Sequence, residues 1–349
     1  MSTLATNAIT DASGGNTASI NGYTPTMSNM AGRNRIINGD MRIDQRNAGA
    51  SVTPTYNSYG LDRWSFPVSQ NSKLTAQQSS TVPSGFTNSM VITSSSAYSV
   101  GASDYFSLQQ KIEGYNVADL GFGTASAKTI TLSFWVQCSL TGTFGGVIGN
   151  NNGTRNYPFT YTISSANTWT YISVTIPGDT GGTWLTTNGV GLTVFFGLGA
   201  GSSWSGTAGA WTATQAFSAT GATSVVGTNG ATFYITGVQL EVGSVATPFE
   251  HVDYSEMLRR CQRYFQIANM CCSDYGPAGY STEQRTPFVT EMRASPTAAQ
   301  GSTGSTSHYN SSSNTLTVED LRHARANATC ASTGSYSSRF LNWQFSAEL

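Results

Sequence analysis

Between Thr129 and Cys138 the chain reads TITLSFWVQC. Ile130, Leu132, Phe134, Val136 and Cys138 fall on one parity, and Thr129, Thr131, Ser133, Trp135 and Gln137 on the other. A period of two places these sets on opposite faces of a strand, so one face must meet a core and the other is left for water or a partner. Thr168 to Ile176 repeats the pattern, with Ile172, Val174 and Ile176 inward and Trp169, Tyr171, Ser173 and Thr175 outward, until Pro177-Gly178-Asp179 breaks it. Gly191 to Leu198 is a further strand. In ATFYITGVQLE, from Ala231 to Glu241, the parity switches: Phe233 and Ile235 lie on one side of Gly237, Val238 and Leu240 out of phase on the other. One extra residue at a glycine restores facing, so this segment is a single strand with a β-bulge.

Long Gly/Ser/Asn stretches at 141–157 and 199–215 are expected as loops. One helix is expected from Ser255 as N-cap, with Met257, Leu258, Cys261, Tyr264 and Phe265 on its apolar face and Glu256 in its first turn. A short turn is expected from Asn116 to Leu120, ended by Gly121. Beyond the helix, strands are expected at Pro287–Met292, Thr315–Val318 and Arg339–Phe345, with a Gly/Ser linker from Gln300 to Asn314. No repeat of fixed period is present, which argues against a propeller or solenoid. The expected fold is all-β: a jelly-roll β-sandwich with an extended N-terminal arm, one short helix and a small C-terminal β-rich domain. The boundaries fall at 1–34 for the arm, 35–250 for the jelly roll, and 251–349 for the helix and C-terminal β domain.

Composition removes several function classes. Lys plus Arg number 17 and Asp plus Glu 18, so no basic surface is available to neutralise phosphates and no nucleic-acid partner is expected. No apolar run is long enough to span a bilayer, so no membrane insertion is expected. The first residues, MSTLATNAITDASGG, have neither a basic nor an apolar signal region, and an extended polar arm is expected instead. Cys138, Cys261, Cys271, Cys272 and Cys330 form no CxxC, and the histidines are only His251, His308 and His323. That excludes the usual zinc spacings and suits thiols kept reduced in a cytosol.

Several strings recur together in an order that resembles a known family. They are GRNRIINGDMRIDQRNAGASV at 32–52, YGLDRW at 59–64, LQQKIEGYNVADLGFGTASAKTITLSFWVQCSLTGTFGG at 108–146, ATFYITGVQLEVGSVATPFE at 231–250 and LRRCQRYFQ at 258–266. FVTEMRASPT at 288–297 extends the likeness. The combination resembles bacteriophage tail-fibre and other virion structural proteins, whose main domain is similar to the jelly roll of carbohydrate-binding modules. The resemblance implies a non-enzymatic virion protein of the phage tail, assembled in the bacterial host cytoplasm. It implies a homotrimer, attachment to other virion proteins through the N-terminal arm, and a distal β-rich part presented to host cell-surface glycan. It also implies a structural calcium near the first and last strands, where Asp40, Asp44 and Glu241 are the oxygen ligands at hand; no metal is assigned, and no cofactor is expected. A virion adaptor or head-decoration protein without a ligand is the alternative reading, and a polysaccharide-depolymerising tailspike the second.

Sugars stack their C–H faces on flat rings and bond their hydroxyls to amides and guanidinium groups. Trp135, Trp169 and Tyr171 on outward strand positions, Trp184, Trp204 and Trp211 in Gly-rich segments, and Asn151 and Arg155 among Asn150 and Asn152 are therefore the glycan-binding or interface candidates. Packing against a covering loop or a second subunit is the competing use of the same rings. Glycoside cleavage needs two apposed carboxylates; Asp104, Glu113, Asp119, Asp179 and Glu241 are the few available, and turn or strand-end roles suit them, so no catalytic residue is named. His251 reads as a linker residue and His323 as part of a solvated face. Arginine outnumbers lysine by 14 to 3. Arg33, Arg35, Arg42 and Arg46 are balanced by nearby acids, while Arg259, Arg260 and Arg263 are subunit-packing candidates, with intrachain pairing as the rival.

Overall fold

The computed structural model describes residues 32–349, without the side chains of 301–304. The expected arm up to residue 31 lies outside the described residues. Gly32 and Asn34 donate their backbone N–H groups to Glu250, and Arg35 N donates to the Leu240 carbonyl.

Thirteen strands come first. They are β1 (Ser58–Leu61), β2 (Trp64–Phe66), β3 (Leu74–Ser79), β4 (Ser89–Ser94), β5 (Tyr105–Glu113), β6 (Ile130–Cys138) and β7 (Gly142–Gly149). Then follow β8 (Asn156–Ile163), β9 (Thr170–Ile176), β10 (Val190–Ala200), β11 (Ser205–Gly206), β12 (Ser218–Ala219) and β13 (Thr232–Val242). A six-stranded sheet, ordered β1-β2-β5-β10-β7-β8, faces a five-stranded sheet, ordered β3-β4-β13-β6-β9; β11 and β12 form a small parallel pair. Within both large sheets the pairing is antiparallel. This is the expected jelly-roll type of β-sandwich. Its core is filled from both sheets, by Phe106, Leu108, Val194 and Phe196 on one side and Ile130, Leu132, Phe134, Val136, Phe233 and Ile235 on the other, all fully buried.

The bulge in β13 lies where the parity switch puts it. Thr236 pairs with Trp135 and Gln239 with Ser133, so one extra residue is accommodated, and Gly237 sits there at φ +62°. The outward face of β6 differs from the expectation. Thr131 and Ser133 are buried, because the chain after β13 folds back across them and Thr131 Oγ1 donates to the Gly243 carbonyl.

The 141–157 stretch is a correction: most of it is the β7–β8 hairpin rather than a loop. Its glycines serve close packing. A Cβ on Gly146 would lie 2.4 Å from Phe159, and one on Gly145 2.6 Å from the Ala219 nitrogen. Glycine inside a strand marks such close approaches. The turn expected before Gly121 is two short 3₁₀ turns, Gly114–Asn116 and Ala118–Leu120, with Gly121 left-handed at φ 65°.

Helix α1 (Tyr254–Gln262) is capped by Asp253, which accepts from Ser255 N, not by Ser255 itself; Ser255 Oγ also donates to the same carboxylate. An aspartate two residues earlier out-competes the hydroxyl as acceptor because it is charged. Met257 and Cys261 are buried against Ile43. Tyr264 and Phe265 are buried too, but beyond the helix end.

Six strands follow: β14 (Phe265–Gly276), β15 (Ser281–Pro287), β16 (Thr297–Tyr309), β17 (Ser311–Val318), β18 (His323–Cys330) and β19 (Gly334–Ser346). They form two three-stranded sheets, β14-β19-β16 and β15-β18-β17. These enclose a second core of Met270, Met292, Ala324, Ala326, Ala328, Tyr336, Phe340 and Phe345. Two expectations fail here. The strand placed at Pro287–Met292 ends at Pro287, and Phe288 and Met292 instead donate backbone N–H groups to the Arg322 and Leu321 carbonyls of a neighbouring loop. The supposed linker from Gln300 to Asn314 lies in β16 and β17, whose register is set by β19 and β18. Ser- and Thr-rich strands of this kind take their order from backbone pairing rather than from an apolar period.

Two guanidinium groups, Arg63 buried and Arg46 partly so, join the sandwich to the C-terminal sheets. Arg63 lies over the Tyr264 ring at 3.6 Å, donates to the Lys111 carbonyl and pairs with Glu348. Arg46 lies 3.6 Å over Phe265 and donates to the other Glu348 oxygen at 2.8 Å. Glu113, buried at the end of β5, accepts from Arg263 and from the Tyr264 hydroxyl. No cysteine is in a disulfide. Among the described residues no helix is long and apolar enough to cross a membrane.

Candidate functional site

The outer face of the six-stranded sheet carries a polar groove of about 180 Å³. Its floor follows from strand parity. On β5 the inward positions Leu108 and Ile112 alternate with the outward Gln109 and Lys111; on β10 the inward Leu192, Val194 and Phe196 alternate with the outward Thr193 and Phe195. Pairing sets Thr193 opposite Lys111 and Phe195 opposite Gln109. Asn156 opens β8, Asn150 and Asn151 belong to the β7–β8 connection, and Gln215 to Phe217 come from the loop ahead of β12. Tyr56, 63% exposed, stands at the rim.

The floor amides are held in place. Gln109 donates to Ser65 Oγ at 3.0 Å. Asn150 donates to Thr154 Oγ1 and the Thr183 carbonyl and accepts from Arg155 N. Asn156 donates to the Gly153 carbonyl at 2.6 Å. Lys111 Nζ donates to a Leu349 oxygen, and burial, then Arg63, pulls its pKa below the usual lysine value. Phe217 stacks on Tyr105 with centroids 4.5 Å apart and meets Phe195 edge-on at 5.2 Å. Fixed amides beside ring faces can bond hydroxyls and stack C–H groups at once. No Asp or Glu lines the groove.

The sequence candidates divide. Asn151 is exposed and lines the groove. Trp135 and Tyr171 are cross-strand neighbours on the other sheet, with centroids 5.3 Å apart, and line a separate cleft. Trp169 packs edge-on against Tyr234 at 6.2 Å, just ahead of β9. Trp184 and Trp211 meet edge-to-face at 5.6 Å, with Phe122 against both, and their indole N–H groups donate to the Gly181 and Pro177 carbonyls. Arg155 sits beside them in a two-bond pair with Asp179. Trp204 packs on Tyr105 and Phe217 and donates to the Ser103 carbonyl.

The carboxylates weighed for cleavage all have protein partners. Asp104 accepts from Ser69, Tyr98 and Gly101 N; Asp119 pairs with Arg35; Glu241 accepts from Gln239 and Thr247. Of the calcium candidates, Asp40 pairs with Arg42, and Asp44 accepts from Asn47 N and Gly49 N. Among the described residues no group of three or more metal-ligating side chains converges. Arg259 and Arg260 pair with Glu256 on their own helix. His251, expected as a linker residue, packs on Phe249 and Phe86.

Gln109, Lys111, Thr193, Phe195, Phe217, Tyr56, Asn156 and Gln215 were not singled out from the sequence. The available signal is the polar outward set in SLQQK, on a strand whose other face is apolar.

No protein-family model and no curated protein matches the chain. Among solved structures it is similar to the enzymatically active domain of tailspike protein 4 of bacteriophage CBA120, at 13% identity and TM-score 0.34, covering 60% of this chain and 21% of that one. It is similar to TmCBM61 in complex with β-1,4-galactotriose, at 12% identity and TM-score 0.30, covering 60% of this chain and 99% of that one. It is also similar to the family 11 carbohydrate-binding module from Clostridium thermocellum in complex with a β-1,3-1,4-mixed-linked tetrasaccharide, at 13% identity and TM-score 0.29, covering 58% and 98%.

Proposed function

We propose that this chain is a non-catalytic glycan-binding protein of a phage virion, part of a tail fibre or tail-associated assembly, that attaches the particle to sugars on the host surface. The observation that supports it is the groove on the six-stranded sheet, with open Asn151 and Gln215, Gln109 and Asn156 fixed in its floor, the exposed Tyr56 ring at its rim, the half-buried Phe195 ring, and no carboxylate in its lining. A binding site needs convergent donors and acceptors beside an apolar surface; a cleaving site also needs an acid and a nucleophile or base. The virion part of the proposal is supported by the resemblance of the ordered strings to those of tail-fibre proteins. A trimer fits it, because three weak sites on one particle gain avidity through effective concentration. Arg259 and Arg260 would face the neighbouring copy, while Arg263 is engaged by Glu113.

The test is retention on a glycan array of host-surface polysaccharide fragments, comparing the natural chain with Asn151→Ala and Gln215→Ala. Both side chains are exposed, so folding is preserved. Loss of about tenfold in affinity, about 1.4 kcal/mol, is expected from the pair. Retention that ignores both substitutions, or no retained glycan, refutes the groove. Reducing sugar released on incubation would replace binding by cleavage.

A second reading, a virion component without a ligand, is favoured by one observation: Trp184, Trp204 and Trp211 use both their ring edges and their N–H groups inside the chain.

A further inference from the structure

The outer face of the five-stranded sheet holds a second cleft, of about 440 Å³. Trp135 of β6 and Tyr171 of β9 are directly opposite one another, their rings inclined at 50°. Tyr171 is 44% exposed. The Trp135 indole N–H has no acceptor among the described residues, unlike those of Trp184, Trp204 and Trp211. A wall of three further rings stands beside this pair. Phe86 meets Phe249 at 5.2 Å and His251 at 5.5 Å, and Phe249 meets His251 at 5.0 Å. Ser84 and Ser133 contribute hydroxyl groups to the lining, while the Thr247 hydroxyl is engaged by Glu241.

The β-bulge brings platform and wall together. A Cβ at Gly237 would lie 2.7 Å from Phe86 and 3.1 Å from Trp135, and glycine takes the φ of +62° there at no steric cost. The rings here differ from the Trp184–Trp211 cluster, where aromatic edges fill one another. The cleft is open, ring-lined and of the size that holds a small ligand. No Asp, Glu, Lys or Arg lines it, so the lining offers no ion-pair partner and suits an occupant held by ring stacking and hydroxyl contacts. A pyranose matches that lining: its C–H face covers an aromatic ring while its hydroxyls meet the serine hydroxyls and the Trp135 indole N–H.

We propose that this cleft is a second carbohydrate site, which holds one neutral pyranose ring against Trp135 and Tyr171. The inference rests on the glycan-binding reading above but uses none of the groove's residues. The two sites lie on opposite faces of the sandwich, so one chain would engage two separate stretches of surface glycan and gain avidity without a second copy.

The experiment uses the full chain labelled with 5-fluorotryptophan, the Trp135 resonance being assigned by Trp135→Phe. Methyl β-glucopyranoside, methyl β-galactopyranoside and methyl α-mannopyranoside are titrated in turn, with choline chloride as the cationic probe that an aromatic cage would favour instead. At least one pyranoside is expected to shift the Trp135 resonance saturably at affinities of about 1–10 mM. Tyr171→Ala should weaken this about tenfold, whereas Tyr171→Phe, which keeps the ring, should leave it unchanged. Asn151→Ala and Gln215→Ala in the groove should also leave it unchanged. A Trp135 shift in a chain whose groove variants bind glycan normally rejects the groove and keeps the cleft. No saturable shift with any pyranoside, a shift with choline alone, or a shift that survives Tyr171→Ala overturns the proposal. A melting curve for each variant verifies that the comparison is between folded chains.

Discussion

Glu348 is the residue whose removal tests the reading of the buried charges most sharply. Its side chain is 8% exposed and accepts from Arg63, itself 1% exposed, and from Arg46, 14% exposed. Both guanidinium groups lie over aromatic rings, Arg63 over Tyr264 and Arg46 over Phe265, each at 3.6 Å. Glu348→Ala leaves Arg63 charged, because a guanidinium stays protonated in proteins, and without a carboxylate in a place water does not reach. Breaking one side of such a pair costs about 3–5 kcal/mol, because the remaining charge keeps its desolvation penalty. Arg46, at 14% exposure, is partly reached by water and suffers less. For a chain this long roughly 2 °C of melting temperature accompanies each kcal/mol, so Glu348→Ala should melt about 6–10 °C lower. Glu348→Gln, which keeps one acceptor oxygen, should fall between. Urea denaturation followed by intrinsic fluorescence gives the free energy directly. The deficit should be nearly the same at low and high salt, since a buried pair is screened little. A cost below about 1 kcal/mol, the range of exposed pairs, would refute the argument.

Two further outcomes follow from the same structure. Burial lifts the Asp62 carboxyl to about 7, against the pull of Arg46 and the Gln45 hydrogen bond. The folded chain therefore holds a proton that the unfolded chain releases above pH about 4, so the Asp62 contribution is full below pH 4 and is lost as pH rises to 7, by at most about 1.4 kcal/mol per pH unit. The difference in stability between the natural chain and Asp62→Asn, measured from pH 4 to 7, should carry that slope; a flat difference sinks the assignment. Gly237→Ala forces a side chain into a left-handed position against Phe86 and Trp135 and should cost about 1–3 kcal/mol by thermal melting. A change within about 0.5 kcal/mol would show that the bulge needs no glycine.

What could be read from the sequence was whatever a single strand carries by itself. The inner faces of β6 and β9 and the bulge in β13 follow from parity alone. The β7–β8 hairpin did not, because Gly145 and Gly146 are spaces for Phe159 and Ala219, and neither neighbour is known before the sheet is assembled. β16 and β17 were hidden for a related reason: Ser, Thr and Gly give no apolar period, and only the register against β19 and β18 orders them. Helix α1 was legible within a turn, yet its cap was assigned to a hydroxyl although a carboxylate stood two residues upstream.

On the proposed glycan-binding reading, an aromatic residue in the sequence is not by itself enough to mark a site. A tryptophan in a Gly-rich segment can serve a ligand only if its face is vacant and its N–H unspent, and both conditions are set by partners distant in sequence. Trp184 and Trp211 fail on both counts: each fills the other's edge, and each donates to a carbonyl of the 177–181 turn. The better sign was polar. Gln109 and Lys111 stand outward on β5, and Thr193 outward on the neighbouring β10. Central strands ordinarily hide such positions under a second layer or give them to water. When they converge with amides fixed by their own hydrogen bonds, binding a hydroxylated ligand costs little side-chain entropy, because the ordering is already done in the free protein. On that criterion the outward amides of β5 and the β7–β8 turn outrank Trp184, Trp204 and Trp211, and on the opposite sheet Trp135, whose N–H has no acceptor among the described residues, is the exception.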